Sequence, residues 1–545
     1  MENNGHNLRF RMQLPCRNVK WDSRQWNVSP GHLALSIILS TFTQERFPLY
    51  SIKDNFDYMD IEYLFGNGVT QSMLNDDALG RALDRIYAAG CDVLADKILL
   101  FARAAFSLTF NAAHSDTTSV SLYGRYIMCE SPDYDGLDIT LGHSKAHRPD
   151  LKQFMLGNVV DENSIPLYYR IINGNTADTE WNKETFPNLE QLYGDQLADK
   201  IYIADSKAIT LPNVLIYTKE GTKMFFLSRC PDNFCKKLAD KVKQLAYTAG
   251  NWVDIGKVKE DKYHTSYEGQ EFCEIIRGLD DDKKYREVKV RLFVIRAKDG
   301  KVRVAKRLKK EAEKLEEDIT AIEKKVFSCC EDAQKAVMEF TKTRRHSLID
   351  IETAILKEEH ASQGRGRQGK TPRPLKIKTT WQIKVRIIGS NIERVQKAQQ
   401  EKESIVLISN APQSLLANAR SALFEYKAQY NVETGFRVIK SPALASEVFL
   451  KKPQRIVVLA MLLEIALLIR RLMQYKARER EKLLAEKPRI DYENRELKNP
   501  TIEHLAKLLV HVALITGNGE YHFWVRGETD RQRLEYALWL LELSE

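Results

Sequence analysis

The sequence predicts a mixed α/β protein: an all-α N-terminal domain, then a mixed sheet flanked by helices, interrupted by a large insertion. Three observations carry this reading. Apolar residues recur at helical spacing up to about residue 106. The pattern then alternates as strands three times in succession, followed by a helix and another strand. Helical periodicity returns far downstream, at Tyr426–Lys440.

Residues 1–106 read as helical; in VSPGHLALSIILSTF, Ser29 is placed to cap a helix and Pro30 takes its first position. In NDDALGRALDRIYAAG, Asn75 is the cap, two acids fill the first turn, and Leu79, Leu83 and Ile86 share one face. Asp92–Phe106 continues the helical pattern. This segment could hold DNA, hold a partner subunit or buttress the next domain.

Residues 107–210 give strands at SVSLYGRYIM, QFMLGNVV and IPLYYRIING, the last two joined by the turn Asp161–Ser164. A helix around Trp181–Leu192 and a short buried strand, Ile201–Ala204, follow. Asp116 falls just before the first of these strands. Asp205 follows the last, at the carboxyl end of a buried strand, where α/β sheets usually keep their chemistry. Each also has a plain structural use, an Asx-turn for Asp116 and a helix N-cap for Asp205.

Residues 211–400 read as the insertion, too long for a plain loop in a compact domain. NVLIYTKEGTKMFFLS and VRLFVIRAKDGKVRV read as hairpins turned at Glu220-Gly221 and Asp299-Gly300. From Lys306 to His360 the chain is highly charged and reads as a solvated helix pair. Arg365–Arg386 holds no acid; its first part, with Arg365, Arg367, Lys370 and Arg373, is rich in Gly and Pro. It reads as a mobile loop, either contacting phosphates or serving as a solvated linker.

Residues 401–475 resume the core with the strand SIVLIS and a helical region opened by Pro412. Over Tyr426–Lys440, seven-residue spacing puts Tyr426, Glu433 and Lys440 on one helix face, while Val432, Phe436 and Ile439 form an adjacent apolar stripe. IVVLAMLLEIALLI, at Ile456–Ile469, is too short to span a bilayer and contains Glu464, so a buried helix is expected. Residues 476–545 read as a charged helical tail with a packed part at Leu505–Thr516.

Of the 545 residues, 43% are hydrophobic and 29% charged, an ordinary globular composition. The net charge of +9 suits an anionic partner such as nucleic acid, or solubility alone. The eight cysteines form no paired CxxC motifs, which points to a reduced chain. Met1–Arg11 is polar, so no signal peptide and no membrane are expected, and a cytoplasmic, nucleoid-associated location is. No P-loop or GxGxxG motif occurs, which places small-nucleotide phosphotransfer last.

Asp116, Asp205 and Glu433, ordered D…D…E, resemble the catalytic triad of DDE transposases of prokaryotic insertion sequences. One large superfamily of these enzymes carries Y-x2-R-x3-E-x6-K. Here Tyr426, Glu433 and Lys440 fall in register, with Gln429 at the Arg position. DTTSVSLYGRY, GHSKAHRPDLKQ, GNTAD and IADS are similar to one branch of it, although Ala146 stands where that branch often has Asp. The N-terminal helical segments are similar to the domain that precedes the core there.

The resemblance implies an RNase H-like core and two Mg²⁺ or Mn²⁺ ions held by Asp116, Asp205 and Glu433. Such a pair, roughly 3.5–4 Å apart, serves phosphodiester hydrolysis and then transfer of the 3′-hydroxyl to target DNA. Asp116 would bridge both ions. Tyr426, Gln429, Lys440, Lys145, His147 and Arg148 are the implied DNA-contacting residues, and Arg365, Arg367, Lys370 and Arg373 would reach a flank. Double-stranded DNA, as terminal inverted repeats and target, and a homodimer in the synaptic complex are the implied partners. The alternatives are a metal-dependent nuclease that does not join ends and a catalytically silent DNA-binding protein.

Overall fold

The computed structural model describes residues 19–22, 24, 26–43, 49–131, 133–258, 266–280, 283–298, 300–362, 376–440, 450–490, 495–517 and 520–543. The chain forms two compact units. Met1–Ser228, Arg277–Val288 and Glu425–Glu545 make the first; Arg229–Ile276 and Lys289–Phe424 make the second.

The first unit begins with α1 (Pro30–Ser40), α2 (Ile61–Phe65), α3 (Asp76–Ala88) and α4 (Cys91–Ala105). Ser29 and Asn75 cap α1 and α3 as expected, their side chains accepting from His32 N and Ala78 N. Next come β1 (Ala112–Leu122), β2 (Lys152–Val160), β3 (Pro166–Ile172), α5 (Asp178–Tyr193), β4 (Ile201–Ala204), α6 (Leu211–Tyr217) and β5 (Phe225–Arg229). The strands stand in the order β3-β2-β1-β4-β5. β1, β2 and β3 are antiparallel; β4 and β5 run parallel to β1. The result is a mixed sheet flanked by helices, as the sequence predicts.

Two expectations for this part are corrected. β1 starts at Ala112 and stops before Gly124, so Asp116 lies in mid-strand and not ahead of it. The strand is buried almost throughout, so AAHSDTTSVSL carries no alternation to mark its start. Leu211–Tyr217 is a helix and not the first arm of a hairpin. Thr210 accepts from Asn213 N, and Pro212 sits in the first turn, so helix-start chemistry wins over the short apolar run.

The second unit holds α7 (Leu238–Ala249), β6 (Val253–Lys257), most of β7 (Ser266–Leu279) and β8 (Tyr285–Ala297), α8 (Gly300–Glu323), β9 (Val326–Phe327), α9 (Cys330–Thr343), β10 (Ile349–Ser362), β11 (Lys376–Ser390), α10 (Ile392–Glu403), β12 (Ser404–Ser409) and most of α11 (Ala419–Lys427). The charged helix pair is present as α8 and α9. The hairpin expected at Asp299-Gly300 is not: β8 gives way to α8, whose Lys-, Glu- and Ala-rich run is strongly helix-forming. The helical reading up to His360 is also corrected. β10 pairs with β11 along its length, and Ile349, Ile351 and Ile355 alternate onto the core under α8 and α9. From Lys376 onward the basic run is therefore strand β11, not loop. Arg365, Arg367, Lys370 and Arg373 lie outside the described residues.

The chain returns to the first unit with α12 (Tyr430–Ile439), α13 (Pro453–Lys482), α14 (Ile502–Leu508), β13 (Val512–Gly517), β14 (Glu520–Val525) and α15 (Glu528–Leu540). The tail is thus not wholly helical. VALITG and EYHFWV pair as a hairpin, in keeping with their β-branched and aromatic content. The Tyr426–Lys440 helix is broken as well. α11 ends at Lys427, and i→i−3 bonds such as Gln429 N to Tyr426 O tighten the turn before α12. Ile456–Ile469 is buried inside α13, as expected. Its apolar residues pack with those of α1, α3 and α4 in one core cluster. Among the described residues no helix is long and apolar enough to cross a membrane.

α5 is pinned to one face of β1, where the Trp181 indole donates to Ser115 Oγ at 3.0 Å and the ring stacks 5.8 Å from Tyr168. Gly157, on β2, lies beneath that ring. A Cβ there would stand 2.5 Å from Trp181 ring atoms, closer than side chains pack, so something must shift. Gly157→Ala is expected to destabilise the protein by roughly 1–3 kcal/mol, the usual cost of overpacking. The denaturant midpoint measures it, and an unmoved midpoint would show that the indole can shift.

Candidate active site

The parallel pairing of β1 with β4 runs Ala112↔Ile201, Ala113↔Tyr202 and His114↔Ile203. Two residues beyond its last pair, the same register brings Asp116 level with Asp205, just past the end of β4. This is the carboxyl end of a parallel strand pair, a usual seat for chemistry in α/β sheets. Asp205 also caps the short turn Ser206–Ala208, accepting from Lys207 N at 3.0 Å, so the cap and the site use the same residue.

The two carboxylates share an electrostatic environment. Burial pushes Asp116 up to about 6, with neighbouring Asp205 and Asp178 adding to the shift; Lys145 and the Thr117 N–H oppose it. Asp205 is raised by burial first and then by Asp178. Asp178, on the first turn of α5, accepts a hydrogen bond from the Thr117 hydroxyl. The acid cluster about Asp116 therefore includes a residue that the sequence reading did not single out. The sequence pattern starts this helix near Trp181, whereas it begins at Asp178, the last residue of GNTAD.

Lys145 turns into this cluster. Its ammonium lies 2.8 Å from Thr117 O, 2.7 Å from Thr117 Oγ1, 3.2 Å from Asp178 Oδ1 and 3.6 Å from Asp116 Oδ1. The Lys145 N–H donates to Ser119 Oγ at 2.9 Å, which fixes the loop on β1. His147 and Arg148 are exposed in the same loop, His147 with φ of 58°. Arg148 pairs with Asp150 and reaches the Tyr123 hydroxyl.

α12 lies on the other side of the sheet. Val432, Phe436 and Ile439 are buried with Leu156, Val160 and Leu467, as the stripe predicts. Gln429 Nε2 donates to Ser115 O at 3.3 Å, joining the start of the helix to β1. At its end, the Lys440 ammonium is lowered by burial and by Lys145, while Asp116 draws it the other way. Glu433 lies between these two on the same helix face by spacing, and it is exposed. Tyr426 is half-buried on α11.

The structure thus gathers Asp116, Asp205, Lys145 and Asp178, sets Gln429 against β1 and brings Lys440 into the field of Asp116. Among the described residues, however, no three His, Cys, Asp or Glu side chains form a group that could hold a metal ion, so Glu433 does not close a ligand set with the two aspartates. Asp116 and Asp205 are part-buried carboxylates, whose hard oxygens are of the kind that suits Mg²⁺. That ion is commonly held by one or two carboxylates, with water and phosphate completing its shell.

Comparison with known proteins gives limited similarity. Residues 16–100 match a family described as a domain of unknown function, DUF4277. No curated protein matches the chain. Among the solved structures that match is the cryo-EM structure of a piggyBac transposase synaptic complex with hairpin DNA. It is similar at 7% identity and a TM-score of 0.34, over 81% of this chain and 66% of that one. The chain therefore spans just under two thirds of that structure's length.

Proposed function

We propose that this protein is a DDE-type DNA transposase that cuts at the terminal inverted repeats of its element and joins the 3′-ends to target DNA. The observation that carries the reading is the placement of Asp116 level with Asp205 on adjacent parallel strands, with the Gln429–Lys440 helix packed against the same sheet. The strand order, three antiparallel strands followed by two parallel ones, supports an RNase H-like core. Asp116 and Asp205 would hold divalent metal, and Glu433 would swing inward to join them. When bound, the metal supplies charge neutralisation at phosphate and activation of the attacking oxygen.

The chain's own residues orient the substrate. Lys440, which feels the charge of Asp116, would meet a phosphate oxygen, and Gln429 can donate a hydrogen bond but supplies no charge. Tyr426, His147 and Arg148 would contact the DNA strand around the scissile bond. A homodimer would bring the two element ends together.

A second reading, a catalytically silent DNA-binding protein, is favoured by Lys145 lying in the acid cluster and by the outward Glu433. One experiment separates the two. A labelled duplex bearing the terminal repeat is incubated with the protein in Mg²⁺, Mn²⁺ or EDTA, with and without target DNA. Metal-dependent cutting at the repeat boundary, followed by joining, is expected. Specific binding without cutting in either metal would favour the silent reading, and cutting without joining a nuclease.

A further inference from the structure

The position of Lys145 has a use that the resemblance does not assign. An ammonium has three protons to donate. Lys145 donates two hydrogen bonds, to Thr117 O and Thr117 Oγ1, and forms ion pairs with Asp178 Oδ1 at 3.2 Å and, farther off, with Asp116 Oδ1 at 3.6 Å. The Thr117 hydroxyl donates onward to Asp178, so it can accept from Lys145 without conflict. Asp178 is itself held at the N-terminal end of α5, where the helix dipole favours a negative charge. Trp181 and Asn182 tie that helix down, through Ser115 Oγ and the Tyr202 hydroxyl.

From this geometry we infer that Lys145 is a tethered counter-ion for the metal site and that Asp178 is its seat. In the metal-free protein the ammonium neutralises Asp116 and Asp178 together. When a divalent cation takes Asp116, Lys145 keeps both of its hydrogen bonds to Thr117 and its closer ion pair with Asp178, so Asp116 is released with little rearrangement. Asp178 is a positioning residue: it acts by holding Lys145 off Asp116. Without it, Asp116 becomes the nearest carboxylate left for the ammonium, and Lys145 competes with the metal. The inference rests on the metal-dependent reading proposed above.

The test is Mn²⁺ binding to the full-length, DNA-free protein by isothermal titration calorimetry, with near-UV circular dichroism confirming that each variant is folded. Asp178→Asn, which keeps the side-chain shape, is expected to weaken binding about tenfold, the lower end of what outer-shell changes cost a metal site. Lys145→Met removes the competitor and is expected to tighten binding by about the same factor. The double variant should match Lys145→Met, because Asp178 has no role once Lys145 is gone.

Equal affinity in all four proteins, or weaker binding in Lys145→Met, overturns the counter-ion and leaves the metal reading standing. A double variant as weak as Asp178→Asn also overturns it, by making Asp178 a ligand in its own right. Absence of Mn²⁺ binding in all four overturns the metal-dependent reading and the counter-ion with it.

Discussion

Asp116→Asn is expected to abolish metal-dependent strand cleavage while leaving the fold intact, with a loss on the order of 10⁴-fold, the scale seen when one member of a cooperating set is removed. The side chain keeps its size, and one oxygen can still accept from Thr117 N, now 2.7 Å from Asp116 Oδ1. What disappears is the anion. The amide offers a divalent cation one neutral oxygen in place of a carboxylate, and it frees Lys145 and Lys440 from their common attraction to this position. DNA binding should persist, because phosphate contacts from exposed cations do not depend on this carboxylate. The measurement is single-turnover cleavage of a labelled repeat-end duplex beside a binding titration. Cleavage within a few-fold of wild type would remove Asp116 from the chemistry.

The same assay on Glu433→Gln asks whether the exposed carboxylate of α12 completes the site when DNA and metal are present. Gln429 ties the start of α12 to Ser115, and Lys440 at its end lies in the field of Asp116. Glu433 lies between those two points on the helix, and the assay asks whether its side chain reaches the aspartates once DNA and metal are bound. Loss of cleavage with retained binding is the expected result; full activity would make Asp116 and Asp205 the whole acidic set.

How far the sequence could be read depended on whether each element announced its own chemistry. The Ser29 and Asn75 caps, the Val432–Phe436–Ile439 stripe and the buried run of α13 are local signals, and the structure follows them. β1 gave no such signal: it is buried almost throughout, so nothing in its sequence showed that Asp116 lies in the middle of a strand. Asp178 escaped notice because the first turn of α5 is polar and its partner, Thr117, is remote in sequence. β10 was hidden by its charges, since the alternating isoleucines cover only its first half before LKEEH begins. That Lys145 turns inward depends on a hydrogen bond to Ser119 from a loop, which no periodicity encodes.

Glu464→Gln is expected to stabilise the protein at high pH and to leave it little changed at low pH. Glu464, on α13, is fully buried, and burial pushes its carboxyl up to about 8; the Asn158 side chain, at 3.0 and 3.2 Å from its two oxygens, opposes the shift only in part. The pKa is higher in the folded than in the unfolded chain, so between about 4.5 and about 8 the folded state binds the extra proton. Stability from this group is therefore fully present below the unfolded value and is lost as pH rises through that window, by at most about 1.4 kcal/mol per pH unit. Gln cannot ionise, so it removes the loss. Its amide can also donate to Asn158 Oδ1, which has no partner in the present structure. Other acids raised by burial, such as Asp116 and Asp161, are common to both proteins and largely cancel in the difference. Urea unfolding at pH 5, 6.5 and 8 measures the effect. A difference in stability that widens with pH is the expected outcome; a constant difference would mean that the folded carboxyl titrates no higher than the unfolded one. Because Asn158 lies directly opposite Asp116 in the β1–β2 ladder, a charge on Glu464 also bears on the strand that carries the first aspartate.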